Sequence, residues 1–135
     1  MTRYLLDTNI CVFHLRGKLN LRDYAGEQWR TACCISEVTA LELYYGAANS
    51  AHPAKHHAAV DTFLEGLTAL PIVDCAGVYA GEKVRFKRAG MPLNDEFDLI
   101  IGSSAIARDL ILVTDNVKHF KNFQGIKIEN WMNKK

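Results

Sequence analysis

No stretch of this 135-residue chain approaches the roughly 20 apolar residues needed to cross a bilayer. Its start also lacks the features of a secretory leader. Asp7 interrupts the apolar run of Tyr4, Leu5 and Leu6, and no small-residue cleavage site follows. Together these absences predict a cytoplasmic protein without a membrane span. The four cysteines, Cys11, Cys33, Cys34 and Cys75, form no CxxC pair, so they read as free thiols, buried and kept reduced. Charge of either sign is not in excess: 16 basic side chains stand against 15 acidic ones, which excludes a histone-like basic coat. No GxxxxGK[ST] phosphate loop occurs, nor any internal repeat, low-complexity tract or linker. The whole of 1–135 is therefore expected to form one domain, long enough for a core of its own.

What is present is an alternation of short apolar runs with helical patterns. Tyr4–Leu6, Ala32–Ile35, Leu70–Val73 and Leu110–Thr114 read as strands, with Ile126–Ile128 as a possible fifth. Apolar strands separated by helices mark a parallel sheet covered on both faces, hence a three-layer α/β/α fold with four or five mainly parallel strands. Ser36 is placed to cap a helix over Glu37–Ala48, with an apolar stripe of Val38, Leu41, Tyr45 and Ala48. Further helices are expected over Ala54–Leu67 and over Ala76–Ala89, the latter stopped by Gly90 and Pro92. Asn94 would cap a last helix reaching Arg108, with Asp95 and Glu96 in its first turn where the dipole favours acids. Within it, Gly102, Ser103, Ser104 and Ala105 would permit close packing on the sheet. Cys33 and Cys34, adjacent on one strand, should face opposite sides.

In such sheets ligands gather beyond the carboxyl ends of the strands. Asp7 lies just past the first strand, and Asp115 and Asn116 just past the fourth. Glu42 borders the apolar stripe of its helix, and Asp98 sits just inside the last one. Each acid has a simpler reading: Asp7 as a helix cap, Glu42 and Asp98 as partners of a buried arginine. Yet two carboxylates ~5 Å apart repel by roughly 3 kcal/mol at an effective dielectric of ~20, and three by up to about 10 kcal/mol. A cation among them is the simpler solution, and oxygen-only ligands suit Mg2+ or Mn2+ rather than zinc. The histidines add no alternative. His52, His56 and His57 read as a solvated helix start without a nearby carboxylate, and His14 and His119 as isolated. Two basic segments, Lys83, Arg85, Lys87 and Arg88, and Lys118, Lys121 and Lys127, read as solvated faces or as a track for nucleic acid.

The motifs resemble a known family. "LLDTNI", "SEVTALELYYG", "FDLIIGSSAIARDLILVTDNVKHF" and "IKIENW" are similar, in order and spacing, to the PIN-domain ribonucleases, and most closely to the VapC toxins of bacterial toxin–antitoxin pairs. The resemblance covers essentially the whole chain. It implies that Asp7, Glu42 and Asp98 are the principal acids, holding Mg2+ or Mn2+. Where the family often has a fourth acid, this chain has Asn116, with Asp115 beside it. Thr8, Asn9, Ser36 and Thr114 would orient the acids or bound water. The implied activity is metal-dependent endonucleolytic cleavage of structured RNA such as tRNA or ribosomal RNA, leaving 5′-phosphate and 3′-hydroxyl ends and inhibiting translation and growth. The implied partners are a VapB-type antitoxin and a second copy of the chain, in a homodimer or larger assembly. Two other readings remain: a phosphatase or phosphotransferase with a nucleophilic aspartate, disfavoured because Asn9 stands where that chemistry wants a second acid, and a catalytically silent RNA-binding module.

Overall fold

The computed structural model describes residues 1–91 and 95–132. Among them five strands form a single parallel sheet: β1 (Tyr4–Leu6), β2 (Cys33–Ser36), β3 (Thr68–Leu70), β4 (Ile111–Val113) and β5 (Lys127–Glu129), in the order β3-β2-β1-β4-β5. The three-layer fold read from the sequence is therefore the observed one, with every strand pair parallel. β1 lies at the centre, pairing Leu5 with Cys34 on one side and Leu6 with Val113 on the other. The chain runs outward from β1 in one direction through β2 and β3, then crosses to the other side for β4 and β5. That crossing makes the β1–β4 boundary the switch point where a crevice opens beyond the strand ends.

Side-chain alternation splits the core in two. Leu6, Cys33, Ile35 and Val113 face α1 (Thr8–Leu15), α4 (Glu37–Ala48) and α5 (Pro53–Leu64), with the short helices α2 (Arg22–Ala25) and α3 (Trp29–Ala32) closing that layer. Leu5, Cys34, Leu70 and Leu112 face α6 (Ala76–Ala89), α7 (Glu96–Ala107) and α8 (Val117–Phe120). Cys33 and Cys34 thus point to opposite faces, and all four cysteines are free and buried. No helix among the described residues is long and apolar enough to cross a membrane.

Several boundaries depart from the sequence reading for physical reasons. The third strand is Thr68–Leu70, not Leu70–Val73: Pro71 has no N–H for the ladder, and Ile72–Cys75 turn into a 3₁₀ helix whose first N–H is taken by Glu37 Oε1 at 3.1 Å. α5 ends at Leu64, ahead of the left-handed Gly66, and its last carbonyls are held from outside the helix. There Arg30 donates from Nη1 to Phe63 O at 2.6 Å and also to Glu65 O. The stripe expected on α4 is displaced. Leu41 and Tyr45 are 60% and 70% exposed and Ala48 is exposed, whereas Val38, Thr39, Leu43 and Ala47 are buried. The buried row is set by α5 and the sheet packing on the same flank, which periodicity alone does not reveal. Asn94 and Pro92 lie outside the described residues; Asp95 is the residue that caps α7, its Oδ1 accepting from Asp98 N at 2.8 Å.

Gly102 is required, but for a different neighbour than expected. A Cβ there would lie 2.7 Å from Cε2 and Cζ of Phe123, a buried ring, rather than against the sheet.

Candidate active site

Asp7 is the residue on which the crevice is built. It ends β1, and its backbone N–H donates to Val113 O at 2.9 Å, so β4 clamps it at the switch point. The side chain is almost fully buried. One oxygen accepts from Thr8 N at 2.8 Å, capping α1, and the other accepts from the buried Thr114 hydroxyl at 2.7 Å. The cap is thus real, but it leaves a carboxylate in a poorly solvated place. Burial, with a smaller push from Asp98, raises its pKa to about 6 despite those two hydrogen bonds.

Glu42, carried on α4, faces Asp7 from the neighbouring strand's side. Thr8 Oγ1 donates to Glu42 Oε1 at 2.6 Å and stands 3.0 Å from Thr39 Oγ1. Because the Thr8 proton goes to the carboxylate, Thr39 is the donor in the second contact. Burial raises Glu42 above the usual carboxylate range, with repulsion from Asp7 and Asp95 adding to it and the Thr8 bond opposing it. Asp98, one turn into α7, is likewise raised by burial and by Asp95, and lowered by His119; Glu42 adds a further upward push. The three acids therefore repel one another pairwise. Among the described residues neither Glu42 nor Asp98 meets an arginine, so the ion-pair reading of these two acids is set aside.

The fourth position divides. Asp115 is exposed, and its Oδ1 accepts from Asn130 Nδ2 at 3.1 Å, on the β5 side. Asn116 starts α8, its N–H donating to Thr114 Oγ1 at 2.9 Å. Thr114 therefore joins the backbone of Asn116 to the carboxylate of Asp7. Among the described residues Asn9 reaches only Asp115 N, at 3.4 Å, and the Ser36 hydroxyl caps α4 at Val38 N. Asp115→Ala is accordingly expected to leave the RNA cleavage that the family resemblance implies within about threefold of the unaltered protein, less than 1 kcal/mol. Initial rates on the same RNA would check this.

Sequence reasoning missed two participants. Thr39 lies one turn before Glu42 on the same helix, a spacing that could have flagged it. His119 is not isolated: Nδ1 lies 3.0 Å from Asp98 Oδ2. Its signal was a histidine inside the quoted motif, one turn after Asp115. Nor is His14 isolated, since it accepts from Leu21 N at 3.3 Å and packs between Trp29 and Phe63. His57 does have a carboxylate nearby, Asp61 at 3.6 Å. Of the basic segments, Arg85 is engaged with Glu82 and Asn122 O, Lys83 with Glu96, and Lys127 with Asp109.

The sequence model of the PIN domain matches residues 4–125. The chain belongs to the PIN domain family. Within that family its relatives are VapC proteins. The tRNA(fMet)-specific endonuclease VapC of Salmonella typhimurium is 33% identical over 139 residues, covering 97% of this chain and 99% of the relative. Ribonuclease VapC2 of Haemophilus influenzae is 31% identical, covering 98% and 100%. The crystal structure of DNA-bound VapBC from Salmonella typhimurium matches with a TM-score of 0.88 at 32% identity, over 97% of this chain and 99% of that one. This PIN domain is of the VapC ribonuclease type, an endoribonuclease group that generally depends on a divalent metal.

Whether these residues suit such an ion can be asked of the site itself. Its donors are carboxylate oxygens, buried at Asp7, partly buried at Glu42 and Asp98, and mutually repelling; that chemistry fits a hard divalent cation. Among the described residues the acids are not closed into a ready cage of three ligands. Thr8 holds Glu42 at one oxygen, and His119 holds Asp98 at one.

Proposed function

We propose that the acidic crevice hydrolyses phosphodiester bonds of structured RNA, such as tRNA or ribosomal RNA, with Mg2+ or Mn2+, and that the protein is the toxic half of a toxin–antitoxin pair in the cytoplasm. What supports this reading is the pairwise repulsion among Asp7, just past the central strand β1, Glu42 of α4 and Asp98 of α7 in a PIN-type sheet. Asp7, Asp98 and Glu42 would hold the ion. When bound, a divalent ion supplies positive charge to the scissile phosphate and lowers the pKa of bound water. Glu42, held at one oxygen by Thr8 and raised toward neutrality, is suited to take a proton from the attacking water. In-line attack by that water breaks the bond to the 3′ oxygen and leaves 5′-phosphate and 3′-hydroxyl ends. Asp7, fixed by Thr8 and Thr114, gives the site its rigid floor. Asp115 and Asn116 stand at the rim, where Asn116 would complete the site.

The same reading assigns partners. A VapB-type antitoxin would cover the crevice, and an apolar groove lined by Val12, Leu15, Leu43, Ala47 and Val60 runs up to Glu42 and offers it a seat. A homodimer, or a larger assembly with antitoxin, belongs to the same proposal, as does the single-domain character of the chain.

Asp98→Asn and Glu42→Gln are each expected to lower cleavage of a tRNA mixture by roughly 100-fold or more, and EDTA to abolish cleavage by the unaltered protein. Mapping new 5′-phosphate ends after brief induction would identify the RNA. Release of phosphate from small phosphoesters with RNA left intact would point instead to aspartyl phosphatase chemistry. RNA binding without cleavage would point to a silent module.

A further inference from the structure

We propose that His119 is a positioning residue, its imidazole holding the Asp98 carboxylate in the orientation in which that acid serves the crevice. The inference rests on the proposed function and adds a residue to it. α8 is a single turn following Asp115 and Asn116, and it is fixed at both ends. At its start the Asn116 N–H is tied to Thr114 Oγ1 at 2.9 Å, and at its end the Phe120 ring is completely buried beside Phe123 and Leu112. Between these anchors the turn carries two basic side chains, Lys118 and His119, and Lys121 follows it. The lysines are exposed and meet no acid among the described residues, whereas His119 places Nδ1 3.0 Å from Asp98 Oδ2.

The contact differs from an ordinary surface pair, which contributes little. Asp98 has a side chain only 18% exposed, and its Oδ1 accepts no hydrogen bond among the described residues. Among the described residues His119 is thus the one side chain that fixes the rotation of this carboxylate. Through Thr114 the same segment also fixes Asp7, so one turn of chain sets two of the three acids. Partners that orient a ligating side chain from behind typically govern metal affinity by 10- to 100-fold.

Calorimetric titration of the full-length protein with Mn2+, together with RNA cleavage at a fixed Mn2+ concentration below saturation, tests this. His119→Ala is expected to weaken Mn2+ binding by roughly 10-fold or more, with unchanged thermal unfolding in EDTA. His119→Asn places an amide N–H where Nδ1 lies and is expected to restore both readouts to within about threefold. His119→Gln reaches the other ring nitrogen's position and is expected not to. Lys118→Ala, on the same turn, should leave Mn2+ affinity unchanged. Mn2+ affinity in His119→Ala equal to that of the unaltered protein, or asparagine no better than alanine, would overturn the role of His119 and leave the proposed function standing. An unaltered protein that neither binds Mn2+ nor cleaves RNA would overturn the proposed function, and this inference with it.

Discussion

Asp7→Asn is expected to abolish RNA cleavage and, in metal-free protein above pH 6, to raise the stability of the fold. Both effects come from the burial of one carboxylate. The side chain is 4% exposed, and its pKa is about 6 instead of the ordinary 3.8. Below about pH 4 Asp7 is protonated in both folded and unfolded chains. Between about 4 and 6 the folded chain keeps the proton that the unfolded chain has lost, so stability falls as pH rises through this window. Above 6 the folded state carries the full cost of the buried charge, roughly 3 kcal/mol from the displaced pKa. Asparagine keeps an acceptor for Thr8 N but upsets the donation from the Thr114 hydroxyl, which offsets part of the gain. A net stabilisation of about 1–2 kcal/mol remains, a rise of several degrees in Tm for a domain of this size. Thermal unfolding in EDTA between pH 4 and 8 would show the two proteins converging at low pH and separating toward pH 6. A variant that melts below the unaltered protein at pH 7.5, or that still cleaves RNA, would contradict the assignment of Asp7.

Gly102→Ala is expected to destabilise the protein by about 1–3 kcal/mol, the usual cost of forcing a methyl into a filled core. Alanine is otherwise the better helix former by nearly 1 kcal/mol, so the sign itself is informative. The new Cβ would stand 2.7 Å from two atoms of the Phe123 ring. That ring cannot retreat freely, since it is buried and meets Phe86 edge-on at 5.0 Å and Phe120 at 5.9 Å. Relief would push the 120s segment outward and disturb α8, which carries His119. Urea unfolding should therefore show a lower midpoint, and cleavage should fall along with it. Phe123→Leu in the same background is expected to recover part of the loss, because the smaller side chain vacates the space the methyl needs. A Gly102→Ala protein as stable as the parent would mean that the ring yields without cost.

Much of this architecture is legible in the sequence. Strands apolar on both faces, each followed by a helical pattern, specify a parallel sheet, and an acid at the end of a strand specifies its working edge. What escaped was set by neighbours remote in sequence. The buried row of α4 depends on where α5 packs, so Leu41 and Tyr45, apolar and well spaced, are nonetheless outside. The tail of the third strand was lost to Pro71 and to Glu37, which diverts Ile72 N into a turn. In the site itself, Glu42 and Asp98 could be picked out by their places on helices. The diverging roles of Asp115 and Asn116 could not, because Asn130, just after β5, holds Asp115 aside. His119 was passed over because a histidine alone carries no spacing; its meaning lies entirely in Asp98, 21 residues earlier.

The central position of β1 has a consequence for timing. Its two neighbours are β2, which follows early in the chain, and β4, which begins at Ile111. Until that late strand arrives, Asp7 lacks its clamp at Val113 O and its bond from Thr114, and Asp98 lacks His119. Chains emerge from the ribosome N-terminus first, at about 5–20 residues per second. The first acid of the site is therefore synthesised seconds before the strand that completes it. A site ordered in this way stays incomplete until Thr114 and His119 have been made.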